Sequence, residues 1–169
     1  MLSRYPLRVG YMRSVTNEPW PEINRAALEA VFQSDAYLND LGAKLVEWDG
    51  GRAVFRLAPE PRHLNFVGSV HGGALFSLAD AALGVASNSW GRACVALTIE
   101  TQFLSAPVGD VLFATAVERS RTRRTAAYAI DVISEDDGAL RATFSAMVFR
   151  TGRWHLGEDA WPEEWRATH

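Results

Sequence analysis

The chain has 169 residues, 48% of them hydrophobic and 22% charged, with a formal net charge of −3. That length suits one domain burying about 70% of the surface its unfolded chain exposes, and the mild acidity gives no electrostatic case for nucleic acid or an anionic membrane as partner. The single cysteine, Cys94, excludes an internal disulfide and a cysteine-cluster metal site, and the four histidines (His63, His71, His155, His169) lack the i, i+4 spacing of a helical metal pair, so no metal is expected.

Along the chain, no apolar run reaches the ~18 residues of a spanning helix, and the N-terminus lacks the apolar core of a signal peptide, so a cytoplasmic protein is expected. Residues 1–20 carry Arg4, Arg8, Arg13, Pro6 and Pro19 without a clear period and read as a poorly ordered or docking arm, with an alternative start at Met12. From Pro21 the pattern turns helical: Ile23, Ala27, Leu28, Val31 and Phe32 share one face, and Leu41-Gly42 is the expected end. "AKLVEWDGGRAVFRLAP" predicts two strands joined by a tight Asp49-Gly50-Gly51 turn. A loop through Pro59, Pro61 and Asn65 then leads into "GSVHGGALFSLADAALGVASNS", residues 68–89. From Gly73 to Ala86 its apolar positions surround the helix, which is therefore expected to be enclosed on all sides.

After Gly91 four strand-like runs follow, "RACVALTIETQFL", "VLFATAVERS", "TAAYAIDVIS" and "ALRATFSAMVFR". Their connections, Pro107-Val108-Gly109-Asp110, Arg121-Thr122-Arg123-Arg124 and Glu135-Asp136-Asp137-Gly138, favour antiparallel hairpins over crossover helices. The segment from Gly152 to His169 holds three of the six tryptophans, a density that predicts packing on the domain or on a partner subunit. The order gives an α+β domain over 21–151, one sheet wrapped round a single helix, flanked by the arm at 1–20 and a Trp-rich tail at 152–169.

Asp80 is the one charged side chain of the apolar helix. Burying an ionised carboxylate without partners costs several kcal/mol, so Asp80 either emerges at an edge, bonds to nearby backbone, or does chemistry. His71-Gly72-Gly73 lies where the helix should begin, and a helix start offers free N–H groups and partial positive charge that can polarise a carbonyl. A tight turn is the plain alternative for the glycine pair. Gly72 and Asp80 are eight residues apart, roughly 12 Å along a helix axis. Both cannot lie about 3 Å from one reacting centre, but two antiparallel copies of the helix, meeting across a two-fold axis, would bring one chain's Gly72 to the other's carboxylate.

"NFVGSVHGGALFSLADAALGVASNS", with Asn65 six residues before His-Gly-Gly, then Leu-Ala-Asp and Asn-Ser, resembles the signature of the hot-dog thioesterases, in the branch typified by the phenylacetate-degradation enzymes. The resemblance covers about residues 34 to 151 and leaves out the arm and the tail. It implies a hot-dog fold, a curved antiparallel sheet wrapped round one long helix, and a homodimer that often pairs into a homotetramer. The implied activity is hydrolysis of acyl-CoA, aryl-acetyl-CoA included, with no cofactor beyond the CoA of the substrate. By motif position it implies Asp80 as general base or nucleophile, the Gly72 N–H as the group polarising the thioester carbonyl, and Asn65 as an orienting amide. His71 joins them as a catalytic candidate, with capping or packing as its other role, and Gly73 as a substrate contact. The chain departs from the family at Phe103-Leu104-Ser105-Ala106-Pro107, where an Arg is usual, and near Thr122, where a small residue is usual. There Arg121, Arg123 and Arg124 could meet CoA phosphates or simply form a solvated turn.

Three rivals remain. A Ser-His-Asp hydrolase is excluded by the absence of Gly-x-Ser-x-Gly. An enoyl-CoA hydratase would pair a catalytic His with an acid in a motif this chain lacks. A non-catalytic acyl-CoA sensor on the same fold has no use for a carboxylate facing the thioester, and steady thiol release would separate the two.

Overall fold

A computed structural model describes residues 22–107 and 111–169; the arm expected over 1–20 and the Val108-Gly109-Asp110 stretch lie outside them. The elements run α1 (Glu22–Gln33), α2 (Ala36–Leu41), β1 (Lys44–Asp49), β2 (Arg52–Leu57), α3 (Gly72–Asn88), β3 (Arg92–Phe103), β4 (Leu112–Arg121), β5 (Thr125–Ser134), β6 (Leu140–Trp154) and α4 (Glu163–Thr168). All six strands form one antiparallel sheet in the order β1-β2-β4-β5-β6-β3. This is the predicted α+β architecture. The helix α3 lies across it, in contact with all six strands.

The first helix differs from expectation. It ends at Gln33, and a second begins at Ala36 because Asp35, in extended conformation, accepts the Leu38 N–H on its side chain at 3.1 Å. An Asp at that position satisfies one of the open N–H groups of a new helix start. Gly42, at φ +78°, then closes α2 with its own N–H bonded to Asn39 and Leu38 carbonyls, the left-handed ending that glycine favours.

Packing explains why α3 is rich in alanine. Leu78, Ala82 and Ala86 are fully buried against Phe144, Ile130 and Val132 of the sheet, and small side chains let helix and sheet backbones approach closely. On β5 burial alternates strictly residue by residue, the period of a strand with one face on the core. The expectation that α3 is enclosed on every side is corrected. Gly73, Phe76, Asp80 and Gly84, spaced three or four residues apart, form an exposed stripe along it. One sheet can cover only one side of one helix; within a single chain the opposite side stays open.

The tail packs as predicted. Trp161 is 2% exposed, and its ring occupies the space a side chain on Gly91 would need, since a Cβ there would come within 2.3 Å of it. The Trp165 Nε1–H donates to the Trp90 carbonyl at 3.1 Å. Among the described residues, no helix is long and apolar enough to cross a membrane.

Candidate active site

The start of α3 has an incomplete hydrogen-bond ledger. A helix start leaves four N–H groups without intrahelical partners. His71, the N-cap, donates its own N–H to the His63 carbonyl at 2.8 Å and accepts the Ala74 N–H on its carbonyl at 2.9 Å. Its Nδ1 accepts the Gly73 N–H at 2.8 Å. The Gly72 N–H is what remains, and among the described residues no acceptor meets it. It sits at the positive end of the helix dipole, where a carbonyl oxygen gaining negative charge is stabilised. A Cβ on Gly72 would approach Phe103 Cζ to 3.3 Å, so glycine keeps the passage beside this N–H open.

The same bonds assign His71 and Gly73. The Nδ1 lone pair of His71 is taken up in capping, and the Gly73 N–H is turned onto it, so these two groups shape the helix start beside Gly72. Asn65 is built similarly. Its Oδ1 accepts the Val67 and Ser69 N–H groups at 3.0 and 3.1 Å, which folds the loop before α3. The oxygen being occupied, the amide NH2 is the half that can reach a substrate.

Asp80 lies two turns along α3, on the exposed stripe. It lines a cavity of about 300 Å³ with Val31, Phe32, Tyr37, Leu38 and Val85, and with the polar groups of Asp35, Asn88 and His155. Burial among these walls, and then the charge of Asp35, push the Asp80 carboxyl above the usual carboxylate range. Tyr37 Oη lies 2.7 Å from Ser77 Oγ and ties α2 to α3 beside the cavity. At its far end Asn88 Oδ1 accepts the Cys94 N–H at 2.9 Å and meets His155 Nε2 at 2.8 Å. An amide oxygen only accepts, so Nε2 carries the proton. Burial, and then Arg153, lower the His155 pKa, keeping the ring neutral.

Sequence reasoning did not find Asp35, Tyr37 or His155. Ser34-Asp35 before "AYLNDLG" is a legible cap-and-stop signal that could have revealed the second helix and its acid. Nothing in the sequence brings His155 to Asn88, 67 positions earlier.

The arginines separate. Arg121 is not an exposed loop residue: its side chain is 14% exposed, 3.2 Å from Glu118, with its Cζ 4.1 Å above the Trp90 ring. The strand β4 runs on to this residue and turns it under the end of α3. Arg123 and Arg124 are exposed on the hairpin, and Arg123, with Arg121 and away from Asp80, lines a second cavity. Among the described residues, no group of three or more His, Cys, Asp and Glu side chains could hold a metal ion.

Residues 67–140 match the family model of the thioesterase superfamily. Acyl-coenzyme A thioesterase PaaI of Escherichia coli is 36% identical over 130 residues, 76% of this chain and 92% of that protein. The chain belongs to the thioesterase superfamily. The solved structure of the Escherichia coli PaaI protein from the phenylacetic acid degradation operon superposes with a TM-score of 0.74 at 33% identity, covering 79% of this chain and 97% of that one. A mutant of the phenylacetic acid degradation protein PaaI from Thermus thermophilus gives a TM-score of 0.66 at 38% identity, covering 69% of this chain and 100% of that one. The α+β sheet with its long central helix is thus the hot-dog thioesterase fold, and this family member is a thioester hydrolase.

Proposed function

We propose that the protein hydrolyses acyl-CoA thioesters to free acid and CoA, as a cytoplasmic homodimer with sites shared between subunits and with dimers pairing into a tetramer. The observation that carries this reading is the unbonded Gly72 N–H on the same uncovered helix as Asp80, in a chain 36% identical to an acyl-CoA thioesterase. Eight residues of helix separate Gly72 and Asp80 by roughly 12 Å, so one chain alone does not bring both to one carbonyl. A second copy does, if the exposed stripes of two α3 helices face each other antiparallel.

The sheet edge supports that pairing. β3 is an edge strand of 12 residues, with Val95, Leu97 and Phe103 each more than half exposed. A long apolar edge left unpaired templates aggregation; paired with its own copy it extends the sheet and aligns the two helices.

In the shared site the thioester oxygen accepts the Gly72 N–H, which stabilises the charge that develops on it. Asp80 of the partner subunit takes a proton from water as the water attacks, or attacks the carbonyl itself to form an anhydride that water then cleaves, the water supplying the proton. The C–S bond breaks, CoA leaves as the thiolate, and the proton passes to sulfur. The Asn65 amide NH2 orients carbonyl or water. The apolar walls beside Asp80 suit a compact acyl group such as an aryl-acetyl group. No metal or organic cofactor is required, because a thiolate is already a good leaving group.

Mixing the pure protein with aryl-acetyl, short and long acyl-CoAs and a thiol-reactive dye tests this reading. Multiple-turnover thiol release is expected. Binding of the same compounds without release would replace the enzyme by an acyl-CoA sensor.

A further inference from the structure

A cavity of about 720 Å³ opens between the β4–β5 hairpin, the start of β3, the end of β6 and α4. Five guanidinium groups line it: Arg92, Arg121, Arg123, Arg150 and Arg166. Arg150 is 5% exposed, and its donors go to the Thr122 and His169 carbonyls. Arg92 reaches the same His169 carbonyl at 3.2 Å and the Thr151 carbonyl at 2.6 Å. Carboxylates meet Arg121 and Arg166, from Glu118 at 3.2 Å and Glu158 at 2.5 Å. Even so, Arg121 Nη1 and Arg166 Nε are buried without a hydrogen-bond partner. Burial first, and then the neighbouring Arg121 charge ahead of Arg92, depresses the Arg150 pKa.

The walls are rigid before any ligand arrives. The His169 ring is stacked between Trp90, at 4.8 Å, and Trp165, at 3.8 Å, and Arg121 covers Trp90 at 4.1 Å. These contacts hold α4, and with it Arg166, against the end of α3. Leaving buried guanidinium donors unmade is costly, and a planar fork of donors is the geometry that phosphate oxygens match.

We propose that this arginine-lined cavity is a phosphate-binding site, completed by Arg166 from the C-terminal tail. A volume of about 720 Å³ has room for a phosphate carried on a group of nucleotide size. Two sources share that chemistry: the nucleotide end of a CoA thioester, or a separate phosphate-bearing ligand. The first deepens the acyl-CoA reading and rests on it; the second does not.

The test uses the full chain and the double variant Arg123→Gln/Arg166→Gln, at one exposed and one partly buried position, with the unliganded Tm of each protein reporting folding. The kcat/KM for an acyl-CoA is divided by that for the same acyl group on pantetheine, which has no nucleotide. If the phosphate belongs to CoA, the double variant lowers this ratio about tenfold. If it belongs to a separate ligand, the ratio holds, while inorganic phosphate raises the Tm of the natural chain and not of the variant. A ratio and a phosphate-dependent Tm that are both the same in the two proteins overturn the site. Should neither thioester be hydrolysed at all, the acyl-CoA reading fails, and the Tm measurement still decides the cavity.

Discussion

The two ends of α3 are built on opposite principles. At its C-terminal end the helix's own polar side chains, Ser87, Asn88 and the following Ser89, all find partners. Ser89 is fully buried; its Oγ accepts the Gly51 N–H and bonds to the Ala86 carbonyl, both at 2.8 Å. Asn88 bonds to Gly84, Ser87, Cys94 and His155. Trp90 Nε1–H donates to Glu118 at 3.0 Å. At the N-terminal half the Gly72 N–H has no acceptor among the described residues, and Asp80 lies on the exposed stripe. One helix is thus anchored at one end and left chemically open at the other. The lesson is that function sits where intramolecular partners are withheld, on an element that the rest of the fold holds still.

The largest effect should come from Asp80→Asn. At the open half of the helix, kcat should fall by about 10²–10⁴, the range of a lost general base. The folded chain holds the Asp80 carboxyl above its ordinary value, so the folded state favours the protonated form and the ionised form costs stability at neutral pH. Asp80→Asn should therefore raise Tm at pH 7, and the gain should fade as the pH falls through the raised pKa toward the ordinary ~3.9. Calorimetry across that window checks the sign.

Ser89→Ala probes the anchored end. It leaves the buried Gly51 N–H without its acceptor and should cost about 1–3 kcal/mol in urea unfolding, with little effect on kcat per folded molecule. A large loss of kcat there would blur the division between the two ends.

The smallest shift is expected from Asp35→Asn. Asn caps a helix as well as Asp, so α2 should persist while the Asp80 carboxyl loses a like charge beside it. The acid limb of kcat/KM, which reports the ionisation of the base in the free enzyme, should move to lower pH. An unmoved limb would mean that Asp35 does not act on the base.

Much of this division could be read before any coordinates. His71-Gly72-Gly73 and Asp80 are adjacent enough for spacing to define their relation, and the Asp49-Gly50-Gly51 turn and the four late strands follow local chemistry. The exposed stripe was not legible, because Ala, Gly and Phe look equally apolar whether they face a sheet or open space. The arginine cavity was half visible. Arg121 and Arg123 stand in one run, whereas Arg92, Arg150 and Arg166 reach it only through the β3–β6 pairing and the folded-back tail. The position of Arg121 beneath Trp90 is likewise a product of tertiary packing that local sequence does not encode.

The central claim, that each site joins one chain's Gly72 to Asp80 of the partner subunit, is tested most directly by mixing two disabled proteins. Gly72→Ala, whose added Cβ crowds Phe103 at 3.3 Å, should lose activity by about 10² through misplacement of the carbonyl, and Asp80→Asn lacks the base. After dissociation and random reassociation, half of the dimers are hybrids with one intact site each, so the mixture should recover about a quarter of the natural activity. A mixture that forms hybrids yet stays as inactive as its components would contradict the shared site.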